Sequence, residues 1–207
     1  MLNNLLHYLK LTLITGILAG MSHLVYAEPP QHEHAPPPLS GVNNYKYKVG
    51  DKGPGRGWIF FVDYYDQYRD FTYLEAAPTD ASVNAVWCND KTKSILGATG
   101  WAANAVGKGQ ANTTAMLAVC STGAAVDADN YKTSTTHAGD WFLPSSGELM
   151  LMYTNLRQAG VGSFARYDYW SSTEYDSANA WLQLFINGNQ LPLNKFNTIE
   201  VRPVRAF

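Results

Sequence analysis

The chain has 207 residues, a length that suggests one domain or at most a small pair. Its 46% apolar, 15% charged and 13% aromatic residues exclude a coiled coil, a disordered chain and a Lys/Glu-rich helical bundle. The formal net charge of −2 gives no case for nucleic acid as a partner. The composition is typical of an aromatic- and Gly-rich domain with many loops.

The first 27 residues have the layout of a secretory signal peptide. A head without acidic residues precedes an apolar run over residues 11–26, and Val25 and Ala27 are small residues at the cleavage positions. A permanent membrane anchor is the alternative, but the run is shorter than the roughly 20 residues that a span needs. We therefore expect export with cleavage after Ala27, to the cell surface, the periplasm or the medium.

Residues 28–44 are predicted to be a linker, because most of this segment is Pro-rich and polar. His32 and His34 lie in it, and a solvated linker explains them better than a metal-binding tract. Neither a metal site nor a cofactor is expected in the chain. Residues 45–207 are the expected folded domain.

Cys88 and Cys120 are the only two cysteines. In an exported chain, an even number of cysteines favours a disulfide. A thiol nucleophile needs a histidine partner, and His137 is the only histidine of the folded region. Two cysteines and one histidine are also too few for a standard zinc site. We predict a Cys88–Cys120 bridge.

The first part of the folded region predicts strands and one helix. The run Trp58 to Val62 follows a Gly/Pro-rich turn and predicts a buried strand, and residues 73–78 predict a second strand that ends at a proline. Helical spacing of apolar residues appears over 111–119. Residues 122–139 are small and polar, and predict a loop.

A second helix is predicted directly after Pro144. Ser145 and Glu148 have the spacing of a capping box, and Leu149, Met152 and Leu156 follow on one helical face. Asp140, Ser145 and Glu148 also resemble a catalytic set, but capping explains two of them without catalysis. No catalytic residue is predicted.

The segment from Trp181 predicts a β-hairpin that is apolar on both faces. Alternation places Trp181, Gln183 and Phe185 on one face and Leu182, Leu184 and Ile186 on the other. Asn187-Gly188 predicts a two-residue turn, and Pro192 predicts an edge strand. Periodicity leaves two interpretations open: a strand buried on both sides, or an exposed apolar binding patch.

Five sequence blocks together resemble a family of bacterial exported domains. They are residues 57–61 (GWIFF), 141–149 (WFLPSSGEL), 169–174 (YWSSTE), 180–181 (AW) and 201–207 (VRPVRAF). The family includes the C-terminal domain of collagen-like adhesins, and it resembles the variable proteins of diversity-generating retroelements. The resemblance covers residues 45–207 and implies an α+β, C-type-lectin-like fold with a small mixed sheet, two helices and extensive loops.

The resemblance also implies where a ligand binds. In the variable proteins, adenine-directed mutagenesis rewrites a C-terminal stretch whose rewritten residues form the ligand surface. The 169–174 and 201–207 blocks would be its fixed borders. The implied ligand-binding residues are Tyr167, Asp168, Tyr175, Asp176, Ala178, Leu182, Leu184, Ile186, Asn187, Asn189, Leu191, Pro192, Leu193, Asn194 and Phe196, with Arg166, Asn197 and Ile199 beside them.

The sequence departs from the family pattern in two respects. No collagen-like Gly-X-Y repeat precedes the domain, so the chain is not a full collagen-like adhesin. The calcium and sugar signature of animal C-type lectins is also absent, and calcium-dependent sugar binding is not expected.

The leading hypothesis is an exported, non-enzymatic protein that binds a protein or glycan ligand through its C-terminal surface. Whether it forms a homo-oligomer or associates with the outer-membrane surface is left open. The first alternative is an adhesin head for sulfated polysaccharide, whose basic surface would use Lys108, Lys195, Arg202 and Arg205. The last is an enzyme of the formylglycine-generating type. Those enzymes use a cysteine pair near the end of the domain, whereas both cysteines lie earlier here.

Overall fold

Two β-sheets organise the residues that the computed structural model describes, which are 45–90, 92–95, 97–165 and 167–207. The predicted signal peptide, the linker and Arg166 lie outside these residues. The strands are β1 Trp58–Val62, β2 Tyr73–Ala76, β3 Ser82–Val86, β4 Asp168–Glu174, β5 Asn179–Leu184, β6 Gln190–Asn194, β7 Thr198–Val201 and β8 Val204–Ala206. The helices are α1 Trp101–Asn104, α2 Gly109–Leu117, α3 Ala124–Asp129 and α4 Ser146–Met152, which continues as a π-helical turn, Tyr153–Arg157.

The two C-terminal strands belong to different sheets: β7 lies inside the larger sheet, and β8 is an edge strand of the smaller one. The smaller sheet has the order β1-β2-β8 and is antiparallel. The larger has the order β3-β7-β4-β5-β6, in which β4 and β7 are parallel and the other neighbours antiparallel. The described part of the chain is therefore α+β, as predicted, but its strands form two sheets instead of one small mixed sheet, and it contains four α-helices instead of two.

Most of the predicted elements are present, and three short ones were missed. The strand over 58–62 and the helices in the 111–119 and 146–156 regions are confirmed, the first helix beginning two residues earlier. Strand β3 and the one-turn helices α1 and α3 lie in segments without a periodic pattern, and α3 corrects the loop predicted over 122–139. Tertiary contacts determine these pieces, because they are too short to be stable alone.

The interior contains two apolar clusters, one on each side of β4. Trp170 belongs to the first, together with Trp87 from the segment after β3, Leu182 from β5 and Met116 from α2. Its neighbour Tyr169 belongs to the second, with Phe60, Phe185 and residues of α4. Because successive side chains of a strand point to opposite faces, β4 is buried on both sides.

The predicted disulfide is confirmed and lies in the first cluster. Cys88 and Cys120 are bonded, with their Cα atoms 5.3 Å apart, and both are buried. The bridge joins the segment after β3 to the end of α2. Hydrogen bonds from the backbone N–H groups of Ser121 and Thr122 to Asn89 Oδ1, 2.7 and 3.2 Å long, connect the same two segments.

The capping box of α4 is confirmed, and its glutamate does more than cap the helix. Glu148 is fully buried and accepts hydrogen bonds from the backbone N–H groups of Ser145 (2.8 Å), Gly107 (2.8 Å) and Gly109 (3.3 Å). A Cβ at position 109 would lie 2.2 Å from its Oε2 atom, so this approach requires glycine. Glu148 therefore fastens the start of α2 to the start of α4.

The burial of Glu148 predicts a specific pH dependence of stability. Desolvation raises its pKa from 4.5 to about 7, although the N–H donors favour the charged form. The folded protein then binds more protons than the unfolded chain between these values. We expect the unfolding free energy to fall by up to about 3 kcal/mol as pH rises from 4.5 to 7, and to level off above.

Urea unfolding of the wild type and of Glu148→Gln across pH 4–8 measures this dependence, since the variant keeps every other titrating group. The unfolding free energy of the wild type, relative to that of the variant, should fall between pH 4.5 and 7 and then level off. A wild-type stability that instead rises with pH relative to the variant would show that the three N–H donors outweigh burial.

The loop between β5 and β6 is longer than predicted. Pairing ends at Gln183 with Gln190, so the connection is not a two-residue turn at Asn187-Gly188. Phe185 leaves the strand to enter the second cluster. Gly188 has φ +83°, and a Cβ there would lie 2.4 Å from the Tyr153 ring. The glycine is thus needed for packing as well as for the turn.

Candidate functional site

The structure separates the predicted ligand-binding residues into two exposed groups at opposite ends of the β5–β6 hairpin. One end holds Tyr175 and Phe196, and the other holds Tyr167 and Ile186. The six residues of β5 lie between them, about 20 Å at a rise of roughly 3.3 Å per residue. A small ligand therefore contacts one group or the other.

The first group, which we name the aromatic end, consists of Tyr175, Trp181, Pro192 and Phe196. Tyr175 and Phe196 are 52% and 59% exposed. Tyr175 packs edge-on against Trp181, with ring centroids 5.1 Å apart, and Trp181 pairs with the exposed Pro192 across the strands. Lys195 N donates to the carbonyl oxygen of Ala178 (3.0 Å), which holds the two turns of this end together.

A buried ion pair lies directly beneath the aromatic end. Lys195 Nζ contacts Glu174 Oε1, and neither side chain is exposed to solvent. Lys195 Nζ also donates to the carbonyl oxygen of Ser177 (2.9 Å) and lies 4.7 Å from the centre of the Trp87 ring, while Glu174 accepts from Ile95 N. Tyr175 and Phe196 each follow one member of this pair in the sequence, so the residue before each exposed ring is anchored in the interior.

The polar candidates of the aromatic end stabilise turns. Asp176 Oδ1 accepts from the backbone N–H groups of Ala178 and Asn179, both at 2.8 Å. The hydrogen bonds from the Asn179 side-chain amide, together with these backbone bonds, lower the pKa of Asp176. Asn194 Oδ1 accepts from Phe196 N (2.9 Å) and so orients the residue that carries the exposed ring. Both are Asx-type turn contacts, which explains these residue types without a ligand.

The second group surrounds the loop from β5 to β6. Tyr167 and Ile186 are both 62% exposed, and the carbonyl oxygen of Tyr167 accepts from Phe185 N (3.1 Å). Asn187 Oδ1 accepts from Asn189 N (3.0 Å) within the loop. This end has no buried ion pair under it within the described residues.

The interpretation that one face of β5 is an exposed binding patch is wrong at the centre of the strand. Leu182 is 1% exposed and belongs to the first apolar cluster, so a ligand cannot reach it. Leu184 and Leu193 are half-buried and pack against the same cluster, as does Ile199. Leu191 alone of these leucines is exposed, at 37%. Of the two interpretations, burial on both sides holds for the strand, and exposure is confined to its ends.

Three other candidates differ in their exposure. Asp168 is half-buried opposite Leu184, and burial raises the pKa of its carboxyl. Ala178 is half-buried in the turn at the aromatic end. Asn197 is exposed and donates from its amide to the carbonyl oxygen of Asn194 (3.0 Å).

The basic surface expected for sulfated polysaccharide is not formed by the predicted residues. Lys195 is buried, and Arg202 is 1% exposed, with its Nε 2.5 Å from Asp80 Oδ1. Arg205 contacts the buried Glu75 at 2.8 Å. Of these four predicted cations, only Lys108 is exposed without an acidic partner among the described residues. Lys195, Arg202 and Arg205 instead neutralise carboxylates that are buried or half-buried, so these three residues do not form the basic surface that this alternative requires.

Both cysteines have a structural role. Cys88 and Cys120 are bridged and buried, so neither offers a thiol, which counts against the formylglycine-generating alternative. Among the described residues, no group of three His, Cys, Asp or Glu side chains is arranged to hold a metal ion. Nor does that part of the chain contain a helix with the length and hydropathy needed to cross a membrane.

Two tryptophans of the surface were missed or misplaced by sequence reasoning. Alternation placed Trp181 on the same face as Gln183 and Phe185, which are buried, but Trp181 is half-buried against Tyr175. Trp101 is 72% exposed at the start of α1, and it follows Thr99, which pairs with Glu174. An aromatic residue between glycine and alanine carries no periodic signal, so the sequence offered no indication of Trp101.

Comparison with known proteins yields a distant structural likeness and no match in sequence. No protein-family model and no curated protein matches the chain. A solved structure described as a fimbrial protein from Bacteroides ovatus aligns with a TM-score of 0.44 and 18% identity. The alignment covers 68% of this chain and 37% of that one, so the chain spans little more than a third of the length of that protein.

Proposed function

We propose that this protein is an exported, non-enzymatic ligand-binding protein of C-type-lectin-like fold, and that the aromatic end of its hairpin contacts a protein or glycan ligand. The observation that carries the proposal is the position of Tyr175 and Phe196. Each exposed ring directly follows a residue of the buried Glu174–Lys195 pair. The predicted export signal, the five sequence blocks of the resemblance and the mixed α+β architecture support it.

The energetics of recognition favour this arrangement. Exposed aromatic side chains offer a large contact area and lose little conformational entropy on binding, because few of their bonds rotate. Here the backbone of both turns is already fixed, by Asp176 in one and by Asn194 and Lys195 in the other. Binding then costs little ordering of the protein.

Truncating the rings should weaken binding without unfolding the protein. We expect Tyr175→Ala and Phe196→Ala each to raise the dissociation constant at least about 10-fold, as loss of a well-supported aromatic contact does. A panel of immobilised glycans and surface proteins is first screened with the wild type. Affinities for the strongest ligand are then measured for each variant.

Tyr65→Ala is the matched control, since Tyr65 is also an exposed tyrosine, 41% accessible, in a loop after β1. Its affinity should equal that of the wild type. Unchanged binding by the Tyr175 and Phe196 variants would reject the aromatic end as the site. Loss of their folded structure would assign both rings to stability.

We also propose that a retroelement diversifies this surface, as the resemblance implies. The expected variation is constrained by burial: codons for Tyr175, Ala178, Leu191 and Phe196 should differ between isolates, while that for the buried Leu182 should not. Sequencing this gene and its flanking DNA across a bacterial population tests this. An invariant stretch without a nearby near-copy repeat would leave a binder of fixed specificity.

A further inference from the structure

A cationic cleft lies on a different part of the fold, between the turn before β1 and the loop after α3. Its volume is about 590 Å³, within the range of sites that hold small ligands. It is lined by Lys52, Gly53, Arg56, Pro78, Tyr131, Lys132, Thr133 and Ser134. None of its residues belongs to the C-terminal hairpin, and its lining contains no carboxylate.

The two walls of the cleft are tied together by hydrogen bonds. Arg56 Nη1 donates to Ser134 Oγ (2.9 Å), and Thr135 Oγ1 donates to the carbonyl oxygen of Pro54 (2.9 Å). Tyr131 is held from behind by a hydrogen bond with Thr79 (2.8 Å) and by the Trp141 ring, 5.4 Å away. The cleft therefore has walls of defined geometry.

The cations of the cleft are placed without counter-ions. Lys52, Arg56 and Lys132 are exposed, and none of them forms an ion pair within the described residues. Lys52 Nζ lies 3.6 Å from the centre of the Trp58 ring and donates to the carbonyl oxygen of Arg56 (3.2 Å). Partial burial and, less strongly, the charge of Arg56 lower the pKa of Lys52, whereas the Glu75 carboxylate, which is paired with Arg205, raises it.

The backbone conformation of Arg56 is a further indication that the cleft is a ligand site. Its φ is +67°, in the left-handed region that a residue with a Cβ rarely adopts. Such strain is concentrated at ligand sites, where a side chain must be presented in one direction. The bond to Ser134 uses one of the five guanidinium N–H groups, and the others remain available in the cleft.

We propose that this cleft binds a saccharide that carries an oxyanion, either a carboxylate or a sulfate. Lys52, Arg56 and Lys132 neutralise the anionic group, and the guanidinium fork of Arg56 matches the paired oxygens of either anion. The Ser134 hydroxyl accepts from Arg56 and keeps its own proton to donate to a sugar oxygen. The site is separate from the aromatic end and does not depend on it.

Titration calorimetry with galacturonate, galactose 6-sulfate and galactose tests the proposal. We expect at least one of the two anionic sugars to bind and galactose not to bind, with affinity that falls as sodium chloride is added. The tighter of the two anionic sugars identifies the anionic group. Arg56→Gln and Lys132→Gln should each weaken binding about 10-fold or more.

Lys108→Gln is the control, because Lys108 is an exposed cation outside the cleft. It should bind as the wild type does. The proposal is overturned if galactose binds equally well, if neither anionic sugar binds, or if both cleft variants match the control. Because Lys132 makes no hydrogen bond or ion pair in the described structure, its variant remains informative even if Arg56→Gln fails to fold.

Discussion

Replacing Lys195 with Met will lower the free energy of unfolding by about 3–5 kcal/mol, the usual cost of removing one partner of a buried ion pair. Glu174 would keep its hydrogen bonds with Ile95 N but would lose the cation that neutralises it in an interior without solvent. Water cannot take the place of the ammonium group, because neither side chain is exposed. Urea unfolding at pH 7 measures the change.

Two further variants make the Lys195 result interpretable. Lys108→Met changes an exposed cation and should alter stability by about 0.5 kcal/mol or less. The double variant Lys195→Met with Glu174→Gln removes both charges, and we expect it to be more stable than Lys195→Met alone. A Lys195→Met protein no less stable than Lys108→Met would contradict a stabilising role for the pair.

Removing the disulfide will have the other large effect. In Cys88→Ala with Cys120→Ala, the free energy of unfolding should fall by about 3–4 kcal/mol, because the unfolded chain regains the entropy of a closed loop with a sequence separation of 32 residues. The loss of two buried sulfur atoms from the first apolar cluster adds to this cost. Equilibrium unfolding of the variant and of the wild type without reductant measures the difference.

The hydrogen bonds to Asn89 give the disulfide experiment its control. Asn89→Ala removes two contacts between the same segments but leaves the bridge, and it should cost less than the double cysteine variant. If removal of the bridge costs no more than Asn89→Ala, the bridge does not restrict the unfolded chain as the loop model requires.

The sequence predicted the local features of this fold well, because their signals are local. The Ser145–Glu148 capping box, the β-rich run over 58–62 and the edge strand with Pro192 each depend on neighbouring residues. The cysteine pairing was predictable for a different reason, since two cysteines allow only one intramolecular bond.

The candidate site was predicted only in part, because burial depends on distant partners. Alternation correctly separated Leu182 from Gln183, but it could not show that α2 and the segment after β3 would cover the Leu182 face. Likewise, Lys195 and Arg202 resembled surface cations until the fold brought Glu174 and Asp80 to them. Tyr175 and Phe196 were among the ligand-binding residues that the resemblance implied, and both are exposed in the structure.

A single peptide bond separates the residues that stabilise the aromatic end from those that it displays. Glu174 and Lys195 face inward, and Tyr175 and Phe196, the next residue in each case, face outward. A library randomised at the outward positions, with both charged residues kept, would therefore vary contact chemistry over one constant support. The hairpin thus has the properties of an engineering scaffold, on which new specificities are selected without rebuilding the domain.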